Sequence, residues 1–193
     1  MADAVFALVA REALRAASVR AVAAEVGWSP GAVRHYFSAQ HDLLAFAMAE
    51  MDARIAARVM ALPSRGEPGE ARALAVLEQL LPLDAERRRE VAVYVEFVVV
   101  GRTDTRLAQV AVAAWRGEQW LVRVALADAL GLAVPRDAVT PLPEPAESAV
   151  DGLHAVVDGL TLAGAAVPGE LGPVAVRSVL AEALAVAVER AGA

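Results

Sequence analysis

The stretch Val19–Phe37, V-R-A-V-A-A-E-V-G-W-S-P-G-A-V-R-H-Y-F, constrains this chain more than any other. Ser18 precedes it as an N-cap, because its hydroxyl can accept an otherwise unpaired backbone N–H. Val19, Val22, Ala23 and Val26 follow at i, i+3, i+4 and i+7, one apolar stripe for packing. Gly27 supplies the freedom of φ that the residue after a helix often needs. Ser29 caps a second helix, and Pro30 stands at its first position, where the missing N–H costs nothing. That helix carries Arg34, His35 and Tyr36, all hydrogen-bond donors. Helix, glycine turn, short polar helix is a helix-turn-helix pattern, whose second helix reads DNA.

The remaining periodicities predict an all-α chain. Residues 3 to 15 form a first helix, with Val5, Phe6, Val9 and Ala13 facing the Val19–Val26 stripe. From Asp42 to Leu62, the residues Leu44, Met48, Met51, Ile55 and Val59 recur at helical spacing. A stripe that long must bury against more than a small headpiece, so this helix links the headpiece to a body. Pro63 to Gly69 breaks the pattern. Helices are expected next over 70–81, from the Asp84 cap to Gly101, and from a Thr103 or Asp104 cap to about Leu130. The run V-A-V-Y-V-E-F-V-V-V suits a strand on propensity, but its charged lead-in and length favour a buried helix. A proline-rich loop over 131–145 precedes two closing helices, 146–163 and 173–191. The expectation is about nine helices in two domains: residues 1–45, a three-helix headpiece, and 46–193, a larger helical body.

The headpiece resembles the TetR family of bacterial transcription regulators. Family members look like G-x-S-x-G-T-L-Y-x-[HY]-F-x-S-K-E-x-L-L, and here Gly27, Ser29, Gly31, Tyr36, Phe37, Leu43 and Leu44 stand in that frame. The motif covers residues 3–45. Beyond it, helix count, helix lengths and the paired terminal helices are similar to the branch with a BetI-like C-terminal domain. Among the departures, Ala32 replaces Thr, Arg34 replaces Tyr, and Gln40 replaces the Lys that opens the next helix. In the family these positions tend to touch phosphates, and Arg34 can restore part of what is lost.

The resemblance implies a homodimer that binds a palindromic double-stranded DNA operator and responds to a small molecule. The DNA-binding set is then Arg20, Ser29, Pro30, Gly31, Ala32, Arg34, His35, Tyr36 and Gln40. An effector cavity is expected among Met48, Met51 and Ile55 of the connecting helix, Tyr94 and Phe97, and Trp115, Arg116, Gln119, Trp120 and Arg123. Met side chains adapt to variable shapes, and such cavities are mostly apolar with few polar anchors. The dimer seam is expected along Leu153, Val156, Val157 and Leu160, then Val179, Leu180, Ala183, Leu184 and Ala187. The alternative is a TetR-like helical dimer that has lost operator binding and acts as a ligand- or protein-binding module.

Charge and composition bear on this reading. The net charge is −6, yet within residues 1–45 four Arg balance four acidic residues, so the body carries the whole excess. A neutral headpiece binds DNA if its arginines share a face, because phosphate contact is local. An acidic body suits a neutral or cationic apolar effector rather than a polyanion. No apolar run reaches transmembrane length, no signal peptide opens the chain, and the absence of Cys agrees with a reducing cytoplasm.

An enzyme is not expected. Asp151, His154 and Asp158 share one helical face that could ligate a metal. A di-iron bundle would want a second carboxylate-x-x-His pair, and the chain has only His35, His41 and His154. The face is therefore read as a polar patch at a helix interface. No nucleophile elbow, Cys nucleophile or phosphate-cradling loop is present, and neither cofactor nor metal is expected.

Overall fold

The computed structural model describes residues 1–63 and 69–192; the interior of the break expected at 63–69 lies outside them. Among the described residues there are nine α-helices and no strand.

The headpiece follows its capping residues. Helix α1 spans Ala2–Glu12 and stops short of the expected residue 15. Ala13 takes φ +68°, a conformation that side chains with a Cβ rarely adopt. A single 3-10 turn, Leu14–Ala16, follows. The turn lets both Leu14 and Ala17 reach the core, and Glu96 accepts the Leu14 N–H at 3.1 Å. Helix α2 (Val19–Glu25) starts where Ser18 Oγ accepts the Ala21 N–H at 3.2 Å. Gly27, at φ +70°, makes the turn. Helix α3 (Pro30–Tyr36) starts where Ser29 Oγ accepts the Ala32 N–H at 3.1 Å.

Helix α4 runs unbroken over Gln40–Ala61, crossing the expected domain boundary at 45. It begins two residues ahead of Asp42 because that carboxylate turns back to accept the Ala39 N–H at 3.0 Å and the Ser38 hydroxyl at 2.6 Å. Helix α5 (Glu70–Leu77) tightens into a 3-10 turn over Glu78–Leu80 before Pro82. Helix α6 (Ala85–Gly101) is capped by Asp84, which accepts the Arg87 N–H at 2.8 Å. The Val-rich run is thus helical. Asp104, not Thr103, caps α7 (Thr105–Leu130), and Gly131 ends it at φ +69°. Helices α8 (Ala146–Ala166) and α9 (Pro173–Gly192) close the chain.

Helix α7 is the centre, packed against α4, α5, α6, α8 and α9. Two apolar cores result. One joins α5, α7, α8 and α9. The other joins the headpiece residues Val5, Phe6 and Leu43 to Met48 of α4, Val93 and Phe97 of α6 and Leu107 and Ala114 of α7. Burying a side chain of that size contributes roughly 1.5–3 kcal/mol, so the headpiece is held against the body by its own core. Arg54 of α4 adds an ion pair to Asp3 at 2.7 Å and lies over the Phe6 ring. Gly164 permits close approach of α8 to the preceding chain, since a Cβ there would overlap the Pro82 ring. No described helix is long and apolar enough to cross a membrane.

Candidate nucleic-acid interface and ligand cavity

Helix α3 buries only Val33 and leaves its other side chains in solvent. Arg34, His35 and Tyr36 are exposed together, Tyr36 at 67%. The His35 ring meets the Tyr36 ring edge-on at 5.3 Å. Pro30, Gly31, Ala32 and Ser29 are exposed beside them, and Arg20 is exposed on α2. Gln40 is only half-buried, and its amide donates to the Ala17 carbonyl at 3.3 Å, tying α4 to the turn before α2. Sequence reasoning passed over Trp28. Its ring is exposed, 6.2 Å from that of Tyr36, so it joins the His35 and Tyr36 rings on one face.

A cavity of about 260 Å³ opens between α4, α6, α7 and α8. Met51 and Ile55 of α4, Tyr94 of α6 and Trp120 of α7 line it, four of the side chains expected from sequence. The others lie elsewhere. Met48 and Phe97 are fully buried in the headpiece core. Trp115 is exposed, with its ring 5.0 Å from that of His154, and Arg116 is exposed too. Gln119 donates to Asp151 at 3.4 Å. Arg123 donates to Glu147 from Nε at 3.0 Å and Nη2 at 2.7 Å and to the Ala138 carbonyl from Nη1 at 3.3 Å, and it does not line the cavity. Its long stem allows that reach from a position that periodicity assigns to the same helix as Trp120.

The polar end of the cavity was missed. Glu118 and Thr161 line it together with Tyr94, and none of the three has a hydrogen-bond partner for its side-chain oxygens among the described residues. Glu118 is 5% exposed. Burial, assisted by the Asp158 charge and opposed by the nearby Tyr94 hydroxyl, pushes its carboxyl up to about 7. Burial also pushes the Tyr94 hydroxyl up, and the neighbouring Glu118 charge adds to it. His154, 3% exposed, is pushed down by burial against the opposing charges of Asp158 and Asp151. A second carboxylate at the wall, Glu90, is already satisfied by Arg58 at 2.6 and 3.0 Å. Asp52, a further acidic residue of the lining, is exposed, whereas Glu118 is a deeply buried cavity carboxylate with no cationic partner among the described residues. A signal for it existed: Leu107, Ala111, Ala114, Glu118 and Leu121 form one helical stripe, apolar except for the carboxylate.

The residues expected at the dimer seam divide between core and surface. Leu153, Val157, Leu160, Leu180, Leu184 and Ala187 are buried in this chain's own core, where they contact α5, α7 and each other's helices. Val156 and Ala183 are half-buried, and Val179 is exposed. Both helices are apolar nearly all round, so periodicity mixed residues of the inward stripe with a few of the outward one. The outward face carries Gly152, Ala155, Gly159 and Leu162 on α8, and Val174, Val179 and Val186 on α9.

This architecture has close parallels. Residues 68–189 match the family model described as BetI-type transcriptional repressor, C-terminal. Over 102 residues the chain is 33% identical to the HTH-type transcriptional regulator PksA of Bacillus subtilis (strain 168), covering 53% of this chain and 50% of that protein. The chain thus spans about half the length of the curated relative it matches. A crystal structure of a transcriptional regulator from Rhodococcus sp. Rha1 superposes with TM-score 0.81 at 30% identity, covering 100% of this chain and 96% of the other. A transcriptional regulator from Saccharomonospora viridis in complex with choline shares the fold, with TM-score 0.75 at 17% identity over 94% of this chain and 91% of that one. Family model, headpiece motif and full-length structural match agree, and the chain belongs to the TetR family of transcriptional regulators, with a BetI-type C-terminal domain.

Proposed function

We propose that this regulator is a homodimeric repressor that binds a palindromic double-stranded DNA operator and is released from it by a small, mostly apolar effector. Residues 1–45 form the DNA-binding unit and 46–193 the effector-binding and dimerisation unit, working in the cytoplasm. The observation that carries the reading is the exposed Arg34–Tyr36 end of a capped α3, joined through residues 37–39 to the helix α4 whose Met51 and Ile55 wall the cavity.

In this reading Arg34 and Tyr36 meet bases or phosphates in the major groove, joined by His35 and Trp28. Arg20 and Ser29 hold the flanking backbone, and the small residues Gly31 and Ala32, next to Pro30, let phosphates approach α3 closely. Gln40 fixes the headpiece geometry through Ala17. The partner copy docks on the outward stripe of α8 and α9, around Gly159, Leu162, Val179 and Ala183, so that twofold protein symmetry mirrors the operator. The effector sits in the cavity with its apolar part on Met51, Ile55 and Trp120. An acidic cavity end suits a neutral or cationic ligand, and the choline bound by the S. viridis regulator is of that kind.

The test begins with the genomic fragments retained by the purified protein, whose sequence defines the operator. Arg34→Ala is then titrated on that fragment by mobility shift at several salt concentrations. A base-reading Arg34 costs about 1–3 kcal/mol on the operator and relaxes specificity; a phosphate-bound one weakens binding across all sequences and lowers the salt slope. Unchanged affinity at every salt concentration removes Arg34 from the interface.

A further inference from the structure

We propose that Glu118 of α7 and His154 and Asp158 of α8 together bind a divalent transition-metal ion of the zinc class. One ligand atom from each of the three lies within 4.8 Å of the others, and His154 Nε2 stands 3.9 Å from Asp158 Oδ2. Both Glu118 oxygens and His154 Nε2 are buried without a hydrogen-bond partner among the described residues. Buried polar atoms are nearly always satisfied, and an unpaired buried carboxylate is costly. The nearby arginines do not supply the missing charge, since Arg123 is engaged by Glu147 and Arg87 by Asp84.

The geometry suits one ion. His154 and Asp158 are separated by one helical turn and therefore share a face, and Glu118 reaches them from the adjacent helix. Donors around a tetrahedral zinc-class ion, bound at about 2.0–2.2 Å, lie roughly 3.3–3.6 Å apart, so side-chain rotations must draw the observed triangle in by up to about 1.4 Å. One imidazole with two carboxylates selects against calcium and magnesium, which prefer all-oxygen shells, and the absence of thiolate selects against softer ions. Asp151, the other carboxylate on the His154 face, is occupied by the Gln119 amide and stands outside the set. Three protein ligands leave a coordination position open, and Glu118 belongs to the cavity wall, so that position adjoins the cavity.

The experiment uses the full chain without an affinity tag, stripped by chelator and titrated with Co²⁺ and Zn²⁺. Expected are the visible absorption of low-coordinate Co²⁺, quenching of Trp115 emission through its ring contact with His154, and a thermal midpoint raised by micromolar Zn²⁺. Glu118→Gln, His154→Gln and Asp158→Asn should each weaken binding at least about tenfold, with Asp151→Asn leaving it unchanged. Helical circular dichroism reports whether each variant is folded. Wild-type protein that shows neither the Co²⁺ spectrum nor the midpoint shift at micromolar metal overturns the proposal. So does binding that survives His154→Gln and Asp158→Asn, which would make Glu118 a lone counter-charge for an organic cation. Neither operator nor effector enters the measurement, so its failure leaves the repressor reading standing, and failure of that reading leaves the metal site intact.

Discussion

Two buried charged side chains of α7 have opposite fates. Arg123 is neutralised by Glu147 of α8, whose other oxygen accepts the Leu142 N–H at 2.8 Å. Burial alone would push the Glu147 carboxyl up; the Arg123 guanidinium and the Leu142 N–H outweigh it and hold the group below the ordinary carboxylate value. Arg123→Met removes the guanidinium and strands a mostly buried carboxylate at the junction of α7, α8 and their connecting loop. The expected cost at neutral pH is about 2–4 kcal/mol, or roughly 5–15 °C in Tm for a chain of this size. A group with a depressed folded pKa contributes stability above its unfolded value and loses that contribution as pH falls through the folded one. The gap between wild type and variant, read by thermal melts, should therefore narrow below about pH 4. A gap that is constant from about pH 7 to about pH 3 would show that Arg123 acts through packing alone. Glu118, five residues earlier, has no such partner, and both were legible as charges in a helix. What was not legible is which one had an arginine's reach or a neighbour's carboxylate to satisfy it, since that depends on α8 and on the loop at 131–145.

At the scale of elements, the headpiece was the most legible part because its devices are local. Ser18, Gly27, Ser29 and Pro30 each act within a few residues of themselves, and the boundaries of α2 and α3 follow from them. The exception is the end of α1, where Ala13 breaks a helix-compatible sequence so that Leu14 can turn into the core. Helices α8 and α9 were legible as helices but not in their orientation. Each has apolar residues on nearly every side, and only packing against α5 and α7 decides which stripe turns inward. The outward stripe makes a sharp prediction. Leu162 is 54% exposed and stands in line with the exposed small residues Ala155 and Gly159 on α8. Leu162→Arg should therefore leave the monomer's fold intact while blocking close approach of a second copy. Sedimentation should then show a monomer with wild-type helicity, and mobility shift a much weakened grip on the operator proposed above. A Leu162→Arg protein that still sediments as a dimer would place the seam elsewhere.

The whole molecule turns on α4, which ties headpiece to body without a joint. Met48 is buried with the headpiece core, and Met51 and Ile55, one and two turns further on, line the cavity. The headpiece core also takes in Val93 and Phe97 of α6, so α4 cannot tilt without disturbing side chains on both units. An effector between α4, α6 and α7 can move this helix only by binding one of its settings more tightly than the other. Near-complete release asks for about a 10⁴-fold difference, roughly 5.5 kcal/mol. Coupling of this kind is reciprocal, so the operator must weaken the effector by the same factor that the effector weakens the operator. Gly117 offers a way to separate the two sites. It lines the cavity, a Cβ added there meets nothing within 4 Å, and it is remote in sequence from every residue of the DNA face. Gly117→Leu should fill the cavity and also remove a helix-interior glycine, which favours α7 by up to about 1 kcal/mol. The variant should bind the operator within about twofold of wild type, since α3 is untouched, yet fail to release it with compounds that quench Trp120 and release the wild-type protein. Release that persists unchanged in Gly117→Leu would mean that the effector acts from another site and that α4 is not the lever.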